Sequence, residues 1–182
     1  MNTTKKLSLI NKSLNDLRKE FRKSEKSILN EFDAQAILFN ILKKYFKKSE
    51  GSIHCQCIVD DIKIKPDIMV FENSKFDIEE NKKDKYAIKK WRNYILSVME
   101  IKHLLDANSQ DVFDKIKSDF NKLKKSTIND SYVILLHHSS NKDNKLKNKI
   151  INLTKNDDGL SISIYYCNMK DSYLIKNGKM IS

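Results

Sequence analysis

"IKIKPDIMVF", residues 62–71, places a Pro-Asp step inside an otherwise β-prone apolar run. Asp67 is flanked by Ile62, Ile64, Ile68, Met69, Val70 and Phe71. A carboxylate there either caps a local kink or is held at a sheet edge for chemistry. Proline cannot donate to a β-ladder, so Pro66 should loosen the sheet at that point. About thirty residues on comes a second β-prone run, "YILSVMEIK", residues 94–102, which ends in Glu100-Ile101-Lys102. Alternation puts Tyr94, Leu96, Val98, Glu100 and Lys102 on one face, and Ile95, Ser97, Met99 and Ile101 on the other. Glu100 and Lys102 then project side by side, roughly 6–7 Å apart, where the strand leaves the sheet.

The elements around these runs set the fold class. Leu7, Ile10, Leu14, Leu17, Phe21 and Ile28 make a heptad stripe, which predicts a polar helix over residues 4–29. That stripe either lies on its own domain or serves as a homodimer seam or a clamp over a partner. A second helix should start at the N-cap Asn30 and run to about Lys48, with Phe32, Ala36, Leu38, Phe39, Leu42 and Tyr45 as its apolar positions. Strands are expected at about 53–59, 62–71 and 94–102, the first two joined as a hairpin through "DDIK". Between the second and third lies a charged insertion, residues 72–93. A helix at 109–125 carries Val112, Phe113, Ile116, Phe120 and Leu123 on one face. "SYVILLHH", residues 131–138, reads as a buried strand. A Lys/Asn-rich helix at 142–154 precedes strands near 160–167 and 173–175, the latter followed by an Asn177-Gly178 turn. Hairpins first and helical crossovers later imply an α/β domain, a mixed sheet flanked by helices. The division expected is an N-terminal amphipathic helical arm, 1–29, and an α/β unit, 30–182, in a single domain of 182 residues.

Composition narrows the partners. The formal net charge is +11, which makes a polyanion the first candidate, although a lysine-rich default surface explains such a charge equally well. No apolar run approaches the roughly 20 residues of a membrane span, and "MNTTKKLSLINKSLNDLRKEF" lacks an apolar signal core, so a cytoplasmic protein is expected. Cys55, Cys57 and Cys167 are an odd set and are expected to be reduced and structural. With His54 the first two resemble a metal-site fragment, but Cys-x-Cys in a strand also just puts two small side chains on one face.

Two carboxylates and one ammonium at an open sheet edge suit one chemistry well. Asp67 and Glu100 offer hard oxygen ligands for Mg²⁺, with the backbone carbonyl of Ile101 as a neutral third. Lys102 would orient or help deprotonate a water and offset charge on a phosphate. Pro66-Asp67 followed by Glu100-Ile101-Lys102 resembles the signature of the PD-(D/E)xK nuclease superfamily, the restriction-endonuclease-like fold. The resemblance spans residues 30–138 and extends to element order: helix, three strands, helix, strand. The helical arm and the C-terminal strands fall outside that core. It implies a Mg²⁺-dependent endonuclease acting on DNA, with Mn²⁺ as a substitute. A hydroxide would attack phosphorus in line and the 3′ oxygen would leave. It also implies an accessory acid on the helix before the first strand, matched here by Glu31, with Gln35 one turn on. Restriction, phage or mobile-element DNA processing and defence are the settings it suggests. The alternatives are a binding module of the same fold that does not cut, and a nuclease directed at RNA. His103 adjoins the site, and Lys89, Lys90 and Arg92, interleaved with Tyr86 and Trp91, suit nucleic-acid contact. His137 and His138 end a buried strand and are expected to be structural.

Overall fold

One seven-stranded sheet organises the chain, and each strand hydrogen-bonds to its neighbours in sequence order. The structure is a computed structural model that describes residues 3–23, 28–46, 51–56, 64–72, 94–105, 110–128, 130–139, 144–155 and 162–181. Among these residues the helices are α1 (Thr3–Lys23), α2 (Glu31–Tyr45), α3 (Gln110–Ser126) and α4 (Asn144–Lys155). The strands are β1 (Ser52–Cys55), β2 (Ile68–Phe71), β3 (Ile95–Leu104), β4 (Ser131–His137), β5 (Ile162–Asn168), β6 (Ser172–Lys176) and β7 (Lys179–Ile181). β1, β2 and β3 are antiparallel. β3, β4 and β5 are parallel, each step crossed by a helix, as parallel pairing requires. β6 and β7 return antiparallel, through Asn177 and Gly178 at φ of 50° and 70°. Those positive values are what a tight hairpin turn demands. The expected α/β class and mixed sheet are therefore present.

Helices cover both faces. Ile10, Leu14, Leu17 and Phe21 of α1 join Leu38 and Leu42 of α2 against Ile68, Val70, Met99, Ile101, Ile134 and Leu136. On the other face, Ile116, Phe120 and Leu123 of α3 and Leu146 and Ile150 of α4 pack on Phe71, Val98, Val133, Leu135 and Ile164. β4 is buried at every position, which explains its unbroken apolar run. Ile10, Leu14, Leu17, Phe21 and Ile28 are at most 2 % exposed and Leu7 packs partly buried beside them, so the heptad stripe lies on the chain's own core. Helix α1 ends at Lys23, and Ile28 reaches the same core from beyond it.

Several expectations need correction. Leu96 packs with Met99, and Ile95 with Val98, the reverse of strict alternation. The cause is a bulge: Val70 pairs with Ser97 but Phe71 with Ile95, so Leu96 is an extra residue that flips the face. In α2, Phe32 is 71 % exposed and Ala36 is exposed, while Ala34, Gln35, Leu38, Ile41 and Leu42 are buried. That helix is apolar at so many positions that periodicity alone misplaces its inner face. β1 ends at Cys55, where the expected strand breaks at Gln56 with φ of 50°, and the rest of that expected strand, 57–59, and its "DDIK" hairpin lie outside the described residues. The insertion at 73–93 lies outside them as well.

The start of α2 is capped as expected. Asn30 Oδ1 accepts from the Asp33 backbone N–H at 3.0 Å, and Asp33 Oδ2 accepts from the Leu29 N–H at 3.0 Å. Asn30→Ala removes an acceptor for an otherwise unpaired helical donor and should cost about 1 kcal/mol. Urea unfolding of the two proteins checks this; Asn30→Gly should lose only a few tenths.

Candidate active site

Asp67 stands one residue before β2 rather than within a strand. The ladder explains why. Ile68 pairs with Met99, and the register carried two residues further would set Pro66 opposite Ile101. Pro66 has no N–H to donate, so the ladder stops and the chain bends. The Asp67 carboxylate takes over: its Oδ2 accepts from the Ile101 backbone N–H at 2.7 Å. The Asp67 carbonyl is held from behind by Gln35 Nε2 at 2.6 Å and by the Gln56 N–H at 3.1 Å. Within a strand, the N–H and C=O of one residue face the same edge. The Ile101 carbonyl therefore faces the Asp67 side, at a place where Pro66 offers it no ladder donor.

Glu100 is 3 % exposed. Burial pushes its carboxyl up to about 7, and the neighbouring charges of Asp67 and Asp119 add to the shift, while the Lys122 ammonium opposes it. Lys122 Nζ lies 2.6 Å from Glu100 Oε1. That oxygen nevertheless has no well-directed hydrogen bond, so the contact is an ion pair by proximity. Lys102 Nζ lies 3.3 Å from Asp119 Oδ2 and 3.4 Å from Glu31 Oε1. Burial would lower Lys102, but the Asp119 and Glu31 carboxylates outweigh it and hold the ammonium above its ordinary range. Lys102 is a fixed positive charge near neutral pH. Burial also raises Asp119.

The structure thus brings together Asp67, Glu100, Ile101, Lys102 and Glu31, and adds two residues that the sequence did not single out. Asp119 and Lys122 lie three apart on α3, flanking its buried Ile116–Phe120–Leu123 stripe. That flanking position was the available signal, but it is shared by several lysines of the same helix. Gln35, picked only as a neighbour of Glu31, turns out to hold the Asp67 backbone.

His103 points toward His138, Ile28 and the acidic start of α2. Its ring centroid is 4.7 Å from that of His138, whose Nε2 lies 2.9 Å from the Ile28 carbonyl oxygen. Burial lowers the His103 imidazole, and its buried Nε2 has no hydrogen-bond partner. Lys89, Lys90, Arg92, Tyr86 and Trp91 lie outside the described residues, as does Cys57. Cys55 is exposed and Cys167 is buried. His54 pairs with Ser52 Oγ at 3.1 Å and sets its ring edge-on to Phe71. His137 Nδ1 meets the Tyr166 hydroxyl at 2.7 Å inside the core, a structural contact.

Among the described residues, no group of three or more His, Cys, Asp or Glu is placed to share a metal ion. The set expected from the sequence has two acids and one carbonyl. Among the described residues, no helix is long and apolar enough to cross a membrane.

No family model, curated protein or solved structure matches the chain. What the site does must follow from its side chains and their distances.

Proposed function

We propose that this chain is a Mg²⁺-dependent endonuclease hydrolysing phosphodiester bonds in DNA, with Mn²⁺ as a substitute ion. One observation carries the reading. Asp67, Glu100 and Lys102 meet at the end of β3, where Pro66 interrupts the ladder.

The donor set fits a hard divalent cation. Asp67, Glu100 and the Ile101 carbonyl would hold it, all through oxygen. Glu100 Oε1 is buried without a directed hydrogen bond, and the carboxylates beside it raise the cost of its charge. Such a cluster is short of positive charge. The ion, when bound, supplies a Lewis acid and a more acidic water. The protein's part is positional and electrostatic. Gln35 and Gln56 fix the Asp67 backbone, and Glu31 and Asp119 aim the Lys102 ammonium. Held charged, Lys102 stabilises negative charge building on a phosphate rather than taking a proton from water.

A module that only grips nucleic acid has no use for a nearly inaccessible carboxylate beside two more acids at its mouth. The test is a cleavage assay on linear, circular, single-stranded and branched DNA and on RNA, with Mg²⁺ or Mn²⁺ against EDTA. DNA cleavage that EDTA stops is the expected result. Binding without cutting on every substrate would leave the non-catalytic module, and cleavage confined to RNA would correct the substrate.

The net charge of +11 supports a polyanionic partner. Duplex binding should weaken with salt at a log–log slope of about −0.9 per neutralised phosphate. Fluorescence anisotropy across a salt series measures it; a flat response would reduce the charge to a compositional trait.

A further inference from the structure

Two ion pairs cross between β3 and α3. Glu100 meets Lys122 at 2.6 Å, and Lys102 meets Asp119 at 3.3 Å. Strand neighbours on one face thus meet helix neighbours on one face, acid to base and base to acid. The Lys102 pair has a catalytic rationale in the reading above. The Lys122 pair has none yet.

Lys122 also donates to the Lys65 carbonyl at 2.7 Å, beside the Pro66 bend. Its side chain is 33 % exposed, while that of Glu100 is 3 % exposed. A flexible four-carbon stem therefore reaches in from solvent and sets a compact charge against a buried carboxylate. A divalent ion held by Glu100 would compete with the ammonium for the same oxygen and repel it. The stem is partly exposed, so a displaced ammonium can swing toward solvent. The Lys65 carbonyl lies within its reach at the mouth of the site.

We propose that Lys122 is a second phosphate-facing residue of this site, parked on Glu100 until a divalent ion displaces it. Resting on the nuclease reading, this adds a binding role on α3. In the metal-free protein Lys122 covers the carboxylate. Once displaced, it contacts a non-bridging phosphate oxygen of the substrate as a point charge.

The test uses Lys122→Met, which keeps the stem and removes the charge, with Lys122→Gln as a second neutral variant and Lys122→Arg as the conservative one. Calorimetry with Mg²⁺ on the DNA-free protein gives the first readout. Losing a partly exposed competing cation should tighten metal binding roughly fivefold. Duplex binding in Ca²⁺ over a salt series gives the second. The slope should become shallower by about 0.9 in both neutral variants, the share of one phosphate, and stay at the wild-type value in Lys122→Arg. A mere clip between α3 and the Pro66 bend would leave metal affinity equal or weaker and the slope unchanged, and that result overturns the proposal. Wild-type protein that takes up no Mg²⁺ would instead overturn the nuclease reading itself.

Discussion

Asp67→Asn should abolish cleavage and weaken metal binding by at least about tenfold while the protein stays folded. Asparagine keeps the acceptor that takes the Ile101 N–H at 2.7 Å, so the bend at Pro66 survives. What it loses is a formal charge that a hard cation needs. Glu100→Gln should behave the same way toward metal and substrate. Lys102→Ala should separate the two functions. It removes no oxygen ligand, and it leaves the Asp119 and Glu31 carboxylates without their cation, so metal affinity holds or rises. The rate should still fall roughly 10²-fold or more, the scale of losing one electrostatic stabiliser. Ca²⁺ is larger and tolerates looser geometry, so it should support binding with little cutting. Single-turnover cleavage beside calorimetric metal titration reads both quantities. If Asp67→Asn and Lys102→Ala cut at the wild-type rate, Pro66-Asp67 is only a bend and the site does no metal chemistry.

These residues were legible in the sequence because their chemistry is local. Pro66 must interrupt a ladder wherever it sits, and Glu100-x-Lys102 must share a strand face. Long periodic segments were legible for the same reason: α3 and β4 lie within a residue or so of their expected limits. Features set by partners were not. The α1 stripe shows that an apolar face exists, but only the sheet beneath it shows what that face covers. The bulge at Leu96 is a property of two strands in register, so alternation along one strand passes over it. Asp119 and Lys122 become site residues only because the crossover lays α3 across the end of β3, which puts their side chains against Lys102 and Glu100. Their helix also carries Lys115, Lys117, Lys124 and Lys125, and no spacing rule ranks one of these above another.

Glu100→Gln should also change how stability depends on pH. Glu100 titrates near 4.5 in an ordinary setting and is pushed up to about 7 here, first by burial and then by the charges of Asp67 and Asp119. A raised carboxyl binds its proton more tightly in the folded state than in the unfolded one. Its favourable contribution is therefore complete below about pH 4.5 and is lost as pH rises through about 7. The loss is on the order of 3 kcal/mol for a group this buried. In EDTA, wild-type protein should thus lose stability between pH 5 and pH 8 relative to Glu100→Gln, which should be the more stable of the two at pH 8. Lys122 does not reverse the sign, because its side chain is 33 % exposed and regains water when its partner is neutral. Comparing the two proteins cancels every other titration except the coupling of Glu100 to Asp67 and Asp119. Adding Mg²⁺ should close the gap by stabilising wild type alone, most strongly at the alkaline end where Glu100 is ionised. Urea denaturation of both proteins at pH 5, 6, 7 and 8, with and without Mg²⁺, gives the result. Parallel stability curves in EDTA would mean that Glu100 carries no raised pKa, and that its ion pair with Lys122 already meets the cost of burial.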